Sequence, residues 1–378
     1  MFSVHGPAAW FDFLSQIPSD GFMKRLCVFM DGTWNVPQHH TNVWRLAGFV
    51  APCDPAGVSQ EKEYIVGVGT SRMSRLIGAF GKGINDRVRR AYRWLAKSYS
   101  PGDEIYVFGF SRGAFEARSL VGFLDRCGLS VRSELSIVAG LFERYRRPDS
   151  APHRSELASA ERRLTEDERR FLDGTRSVEV RFLGLWDTVR YLDVPLGNIR
   201  GFSRSENLFH EIMSTRSCRT IRQAVAIDEH RRPYRAEHFE SNPEPTNVAD
   251  IEQRWFAGDH CDIGGGHLGG MISNVALLWM QREAASAGLH FTELQPLTGD
   301  EHEYSLHDTY RRFLCGTFSL VSSRDHRPIE GRPGIRSTID ASVFKRCRED
   351  RRYRPGNLRN WAESAGCDLA NQESDFRF

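Results

Sequence analysis

Residues 109–113 read Gly-Phe-Ser-Arg-Gly, a serine at the spacing G-x-S-x-G. An apolar run, Ile105–Phe110, leads into the motif, and a helical pattern, AFEARSLVGFL, leads out of it. Strand, tight turn and helix in that order lift a serine hydroxyl clear of a sheet. Five letters alone recur by chance; the flanking elements give the match its meaning. Gly109 and Gly113 suit a turn too tight for larger side chains. Ser111 is then the candidate nucleophile. The Arg112 N–H, at the start of the helix, would point to where an oxyanion forms.

A serine needs a base, and the base needs an orienting acid. Behind a nucleophile elbow the chain order is serine, acid, histidine. Asp187 closes the apolar run Val178–Trp186 and opens a turn, so it is the candidate acid. Among thirteen histidines, His260 follows the apolar Trp255-Phe256-Ala257 and precedes the glycines Gly264–Gly266. Such glycines let a loop bring a side chain over the serine. His307, in Ser305-Leu306-His307-Asp308, is the rival base; His230 and His238 lack that setting. Asp259 and Asp262 flank His260 and read as a second acid, a loop brace or an incidental cation site. Their spacing is no metal-binding pattern, so neither a metal nor another cofactor is expected. The first apolar run, Leu26–Met30, ends in Asp31-Gly32-Thr33-Trp34-Asn35. The Gly32 and Thr33 N–H groups are candidates for the second oxyanion donor, with Asp31 as a brace. A plain β-turn is the competing reading there.

The elements that must hold these residues follow a rhythm. Leu26–Met30, Tyr64–Val68, Ile105–Phe110, Val178–Trp186 and the flanks of Trp255-Phe256 read as buried strands. Helical patterns at 84–99, Arg112–Cys127 and Met271–Ala287 lie between them. The alternation predicts an α/β fold with a doubly wound, mostly parallel sheet. The stretches 130–175 and 189–230 break the rhythm and are expected to form a helical cap inserted between strands. Ile137, Val138, Leu141, Phe142, Trp186, Leu192, Val194 and Leu196 are the candidate lining for an acyl chain. Residues 1–378 are read as one catalytic domain with a basic tail at 342–378. There Lys345, Arg346, Arg348, Arg351, Arg352, Arg354 and Arg359 outnumber Glu349 and Asp350. That run is either a solvated helix face or a docking surface for an acidic partner or lipid headgroups.

The net charge of +2 argues against nucleic acid as a partner. With 40% hydrophobic and 26% charged residues the chain is of ordinary globular composition. Eight cysteines without a C-x-x-C pair read as reduced thiols, which points to the cytoplasm of the producing cell. The first residues carry no signal-peptide pattern, and no run is long and apolar enough to span a membrane.

Longer runs carry a resemblance. LCVFMDGTWN, TNVWRL, GVGTS, GKGINDRVRRAYRWLAKSYSPGDEIYVFGFSRGAFEARSLVGFL, LGLWDTV, AVAIDEHRRPY, WFAGDHCDIGGGH, ASVFKR and YRPGNL fall between about residues 24 and 360. Together they resemble the uncharacterised α/β-hydrolase domain family that includes the first family of type VI secretion phospholipase effectors. Family members commonly read His-Ser-Asp-Val where this chain has His260-Cys261-Asp262-Ile263. The resemblance implies an α/β-hydrolase fold and a triad on Ser111, Asp187 and His260. It also implies phospholipase A-like cleavage of glycerophospholipid acyl esters and peripheral contact with a membrane. A secretion-apparatus or immunity partner, and delivery to a target cell, belong to the same expectation. The alternatives are an esterase for short-chain or other esters, and a non-catalytic interaction protein that keeps the hydrolase fold.

Overall fold

The computed structural model describes residues 23–32, 35–67, 80–147, 152–190, 217–240, 250–267 and 269–378. Its strands are β1 (Arg25–Met30), β2 (Gln60–Ile65), β3 (Glu104–Phe110), β4 (Leu129–Ser130), β5 (Thr175–Arg176), β6 (Val180–Trp186), β7 (Cys218–Ala226), β8 (Asp250–Phe256), β9 (Arg336–Ile339) and β10 (Phe376–Arg377). Eight of them form one sheet in the order β10-β9-β8-β7-β6-β3-β1-β2, and β4 pairs with β5 apart from it. Neighbours in the large sheet run parallel except β10 against β9. This is the mostly parallel α/β architecture expected from the alternation of runs.

Continuous apolar runs suit strands covered on both faces. In β1, Leu26, Val28 and Met30 join a core with Val88, Tyr92, Leu95, Leu120 and Phe123. Those partners come from α2 (Phe80–Ser98) and α3 (Arg112–Cys127). Cys27 and Phe29 face a second core with Leu46, Leu277 and Met280. These lie on α1 (Asn42–Phe49) and α8 (Ser273–Ser286), so helices cover both faces. The register lines up the strand ends. Met30 pairs with Gly109, Phe110 with Trp186, Trp186 with Ala224, and Ala226 with Phe256. The loops that leave these carboxyl ends therefore start side by side, where ligands bind in open α/β sheets.

Two cap expectations are corrected. The helical stretch expected within 189–230 is, from Cys218 on, the central strand β7. Arg222 and Gln223 mask it in sequence, because their partners lie far along the chain. Arg222 pairs with Asp250 and Glu283; Gln223 bonds Thr188, Gln253 and the Glu237 carbonyl. The second correction concerns α4 (Leu135–Tyr145), which packs against α2 and α3 with Val138 and Phe142 turned into the core, while Leu135, Ser136 and Ala139 face a surface cavity with Trp94. Val138 and Phe142 are buried in the first core, with Phe142 edge-on to Phe123, and Leu141 packs against the same core. Trp186 is buried in the second core. Leu192, Val194 and Leu196 lie outside the described residues. The short helices α5 (Arg154–Ala158) and α6 (Glu166–Asp173) follow α4.

The basic stretch is not a tail. After α7 (His260–Gly264), α8, α9 (Thr309–Arg312) and α10 (Phe318–Val321), the chain forms α11 (Ala341–Glu349) and α12 (Gly356–Ala365). Val343, Phe344, Cys347, Leu358 and Trp361 build a third core with Trp255 and Ile339 of the sheet. Arg346 is buried and donates to the Tyr304 carbonyl, and Arg348 donates to the Gln372 carbonyl. Arg351, Arg352 and Arg359 remain exposed.

Candidate active site

The Ser111 turn is as tight as its glycines suggested. Ser111 itself sits at φ 59 and ψ −125, a region that costs an L-residue energy. A Cβ on Gly109 would lie 2.5 Å from the Gly113 carbonyl oxygen, and one on Gly113 would lie 2.2 Å from the Met30 oxygen. Both positions are closed to any side chain. The elbow is tied to its neighbour strand by the Ser111 N–H, which donates to the Trp186 carbonyl at 2.9 Å. Ser111 thus stands between the end of β3 and the N-terminal turn of α3, where Arg112 begins the helix.

Asp187 leaves the end of β6 at φ 43 and is fully buried. Its N–H donates to the Ala224 carbonyl at 2.8 Å, and its Oδ1 accepts from the Ala226 N–H at 3.0 Å. Strand β7, which the sequence hid, therefore holds Asp187. His260 opens α7. Asp259 caps that helix, its Oδ1 accepting from the N–H groups of Cys261 and Asp262 at 2.9 and 3.0 Å. The imidazole bridges the other two residues: Nδ1 lies 2.6 Å from Asp187 Oδ2 and Nε2 lies 2.8 Å from Ser111 Oγ. Phe110 packs on one side of the ring at 4.6 Å between centroids, and Tyr234 meets it edge-on at 5.1 Å. An ionised Asp187 accepts only, so the proton belongs on Nδ1 and the Nε2 lone pair faces the serine hydroxyl.

Sequence reasoning missed Arg327. Its Nη1 donates to Asp187 Oδ1 at 2.6 Å and its Nη2 to Asp187 Oδ2 at 3.0 Å. The guanidinium is buried and also donates to the carbonyls of Ala226 and Tyr234. Asn357 of α12 fixes the same segment through the carbonyls of Ile227 and Arg327. Burial alone would raise the Asp187 carboxyl. The Arg327 charge and the His260 hydrogen bond outweigh it and hold Asp187 well below the usual carboxylate range. Nothing in Arg324-Asp325-His326-Arg327 marks the last residue in sequence, since it stands among other polar groups.

The remaining candidates fall into place around this relay. Asp31 accepts from the Thr41 and Tyr64 hydroxyls, each at 2.6 Å, so it braces the loop after β1. Gly32 reaches the serine, since a Cβ on it would lie 3.2 Å from Ser111 Cβ. Its N–H, however, donates to Asp31 Oδ1 at 2.7 Å, which corrects the expectation of Gly32 as a ready oxyanion donor. Thr33 lies outside the described residues. Asp262 accepts from the N–H of Asp259 at 3.1 Å and faces His307 Nδ1 at 2.6 Å. The rival base is thus bound to Asp262. His230 lies against the Asp325 carbonyl, and His238 against Gln253.

The type VI secretion phospholipase effector Tle1-like catalytic domain family matches residues 24–283. The chain belongs to this family. The Tle1-like match takes in Ser111, Asp187 and His260 and stops short of Arg327. The uncharacterized protein YEL023C of Saccharomyces cerevisiae is 28% identical over 240 residues, 58% of this chain and 33% of that protein. The chain therefore spans about a third of the length of that curated relative. Among solved structures, a Tle1 effector bound to the VgrG spike of the type VI secretion system gives a TM-score of 0.42 at 17% identity, covering 80% of each chain. An uncharacterized protein from Pseudomonas aeruginosa also gives 0.42, at 16% identity over 83% of this chain and 53% of that one.

Among the described residues, no helix is long and apolar enough to cross a membrane.

Proposed function

We propose that this chain is a serine hydrolase that cleaves acyl esters of glycerophospholipids through Ser111, His260 and Asp187. The observation that carries the reading is the continuous relay from Ser111 Oγ through His260 to Asp187. Ser111 Oγ attacks the ester carbonyl carbon while His260 Nε2 takes the hydroxyl proton. The carbonyl π electrons move onto oxygen. When the tetrahedral adduct collapses, the ester C–O bond breaks and His260 returns the proton to the leaving alcohol. Water, deprotonated by the same Nε2, then attacks the acyl carbon; the bond to Ser111 Oγ breaks, His260 returns the proton to Oγ, and the fatty acid leaves. Asp187 stabilises the imidazolium formed in each half and keeps the tautomer fixed. The Arg112 N–H and one from the loop after β1, with Thr33 the remaining candidate, would hold the oxyanion. Losing one such donor costs about 3 kcal/mol in other enzymes.

Family membership supports a phospholipid rather than a small ester as substrate. It supports a secretion-apparatus partner in the same way. Peripheral membrane contact would fall to the exposed Arg351, Arg352 and Arg359, each adding about 1 kcal/mol near anionic headgroups.

A fluorophosphonate probe tests the nucleophile. Labelling of the wild type, its loss in Ser111→Ala, and Ser111 as the modified residue by mass spectrometry are the expected outcome. No labelling of the folded wild type would favour a non-catalytic interaction protein. A panel of phospholipids and short-chain esters, with product analysis, then tests the substrate. Turnover of short esters alone would remove the phospholipid reading and leave the serine chemistry in place.

A further inference from the structure

The helix that carries His260 also carries a second cluster of ionisable groups. Asp259 caps it and Asp262 lies in its first turn. Two histidines from other segments converge on these carboxylates. His267 Nε2 lies 3.1 Å from Asp259 Oδ1 and 4.0 Å from Asp262 Oδ1. His307 Nδ1 lies 2.6 Å from Asp262 Oδ1. Asp262, His267 and His307 each offer one donor atom, and the three lie within 4.8 Å of one another. The two imidazoles stack at 3.7 Å between centroids, 16° from parallel.

The backbone is shaped for this meeting. Gly265 and Gly266 have φ of 78 and 110, conformations that favour glycine. They turn the chain after α7 so that His267 comes back onto Asp259. The carboxylates are buried, while the imidazoles are partly exposed. One oxygen, Asp259 Oδ2, is buried and makes no hydrogen bond. A carboxylate oxygen in that position is costly unless something positive or polar meets it.

We propose that Asp262, His267 and His307 form a binding site for one zinc ion, or for another divalent transition metal that accepts mixed nitrogen and oxygen donors, with Asp259 as a supporting carboxylate beside them. Two imidazoles and one carboxylate form a donor set that zinc takes, at bonds of about 2.0–2.2 Å, with water in the fourth position. Tetrahedral geometry on such bonds separates neighbouring donors by about 3.4 Å. His307 Nδ1 and His267 Nε2 lie 2.6 and 4.0 Å from Asp262 Oδ1, on either side of that value, and all three donors lie within 4.8 Å of one another. Calcium and magnesium prefer oxygen ligands throughout and would not use the imidazoles. The charge also fits. Two carboxylates stand close together with Arg231, the nearby cation, already bound by Glu229. A divalent ion would offset the charge of these buried carboxylates. It would also tie the segments at 267 and 307 to the turn that holds His260. Protons compete for the same donors, so affinity should fall on acidification.

The test uses the full chain, stripped with a chelator and dialysed against zinc. One zinc per chain is expected by elemental analysis, and cobalt in its place should give the intense visible absorption of a four-coordinate site. His267→Ala and His307→Ala should each weaken binding at least as much as the roughly 10–100-fold loss typical of outer-shell partners. Zinc should raise the melting temperature of the wild type and not that of His267→Ala. His267 is partly exposed, so that variant should fold, and its melting curve without metal verifies this. His302→Ala is the control, because His302, Glu303 and Glu349 also lie close enough to hold an ion. It should bind as the wild type does. Failure of the wild type to take up one equivalent would overturn the proposal. So would equal uptake by His267→Ala and His307→Ala, which would place the ion elsewhere. The outcome is independent of whether the chain hydrolyses esters.

Discussion

Two histidine–carboxylate pairs meet at α7, both with a separation of 2.6 Å: His260 with Asp187, and His307 with Asp262. Their surroundings differ. Asp187 has the buried Arg327 guanidinium along both of its oxygens, and the far nitrogen of its histidine faces a serine. Asp262 has a second carboxylate, Asp259, as its neighbour and a second imidazole within reach. The Arg327 charge and the His260 hydrogen bond hold Asp187 well below the usual range despite its burial, whereas burial first, and then the charge of Asp259, pushes Asp262 up. The third group decides what such a pair is suited to do. A fixed cation makes Asp187 a permanent anion that can orient a base. Excess negative charge makes Asp262 a place for a cation.

The largest test of that contrast removes each histidine. His260→Ala should lower kcat on the order of 10⁶-fold, as should Ser111→Ala, because such residues act as a unit. His307→Ala should stay within about 100-fold of wild type, the range of a supporting residue. Turnover on phospholipid vesicles, with circular dichroism to confirm folding, measures both. A dead His307→Ala beside an active His260→Ala would invert the comparison.

The acids should separate less widely. Asp187→Asn should cost on the order of 10⁴-fold in kcat, because the amide favours the wrong imidazole tautomer. Asp262→Asn should again stay within about 100-fold. Equal losses in the two variants would mean that the pairs do the same work.

Arg327 gives the smallest effect on turnover and the clearest one on pH. Arg327→Gln should cost about 3–5 kcal/mol of stability, since it leaves a buried carboxylate without its cation. The sign follows from Asp187. Its folded-state pKa is depressed, so its contribution is present above the unfolded carboxylate value and is lost as pH falls toward the folded one. In the variant, burial acts without the opposing Arg327 charge and the folded pKa rises. Stability should then be lost at a higher pH than in the wild type. Melting temperatures across about pH 4 to 8 measure this, and Arg327→Lys should restore part of the difference. Parallel curves for wild type and Arg327→Gln would show that Arg327 merely packs.

The serine side of the site was legible because it is local. Strand, glycine, serine, glycine and helix are contiguous, and each constrains the next within a few residues. Asp187 and His260 were legible from their places at strand ends. Besides Arg327 and the burial of the basic run, three things were hidden. Strand β7 carries Arg222 and Gln223, whose satisfaction depends on residues at 250, 253 and 283. The apolar residues of α4 looked free to line a pocket, yet packing on α2 and α3 buries Val138 and Phe142. The Gly32 N–H looked available until the Asp31 carboxylate took it.

By itself, the sequence determined the parallel α/β sheet, the closed turn around Ser111 and the order of serine, acid and histidine. These rest on periodicity and on backbone sterics, which act over a few residues. Only the tertiary structure decided which cation meets Asp187, which carboxylate meets His307, and that the basic C-terminal run is part of a core. Those outcomes depend on groups 140, 45 and about 100 residues apart. Buried electrostatics acts through space, and the distance along the chain carries no record of it.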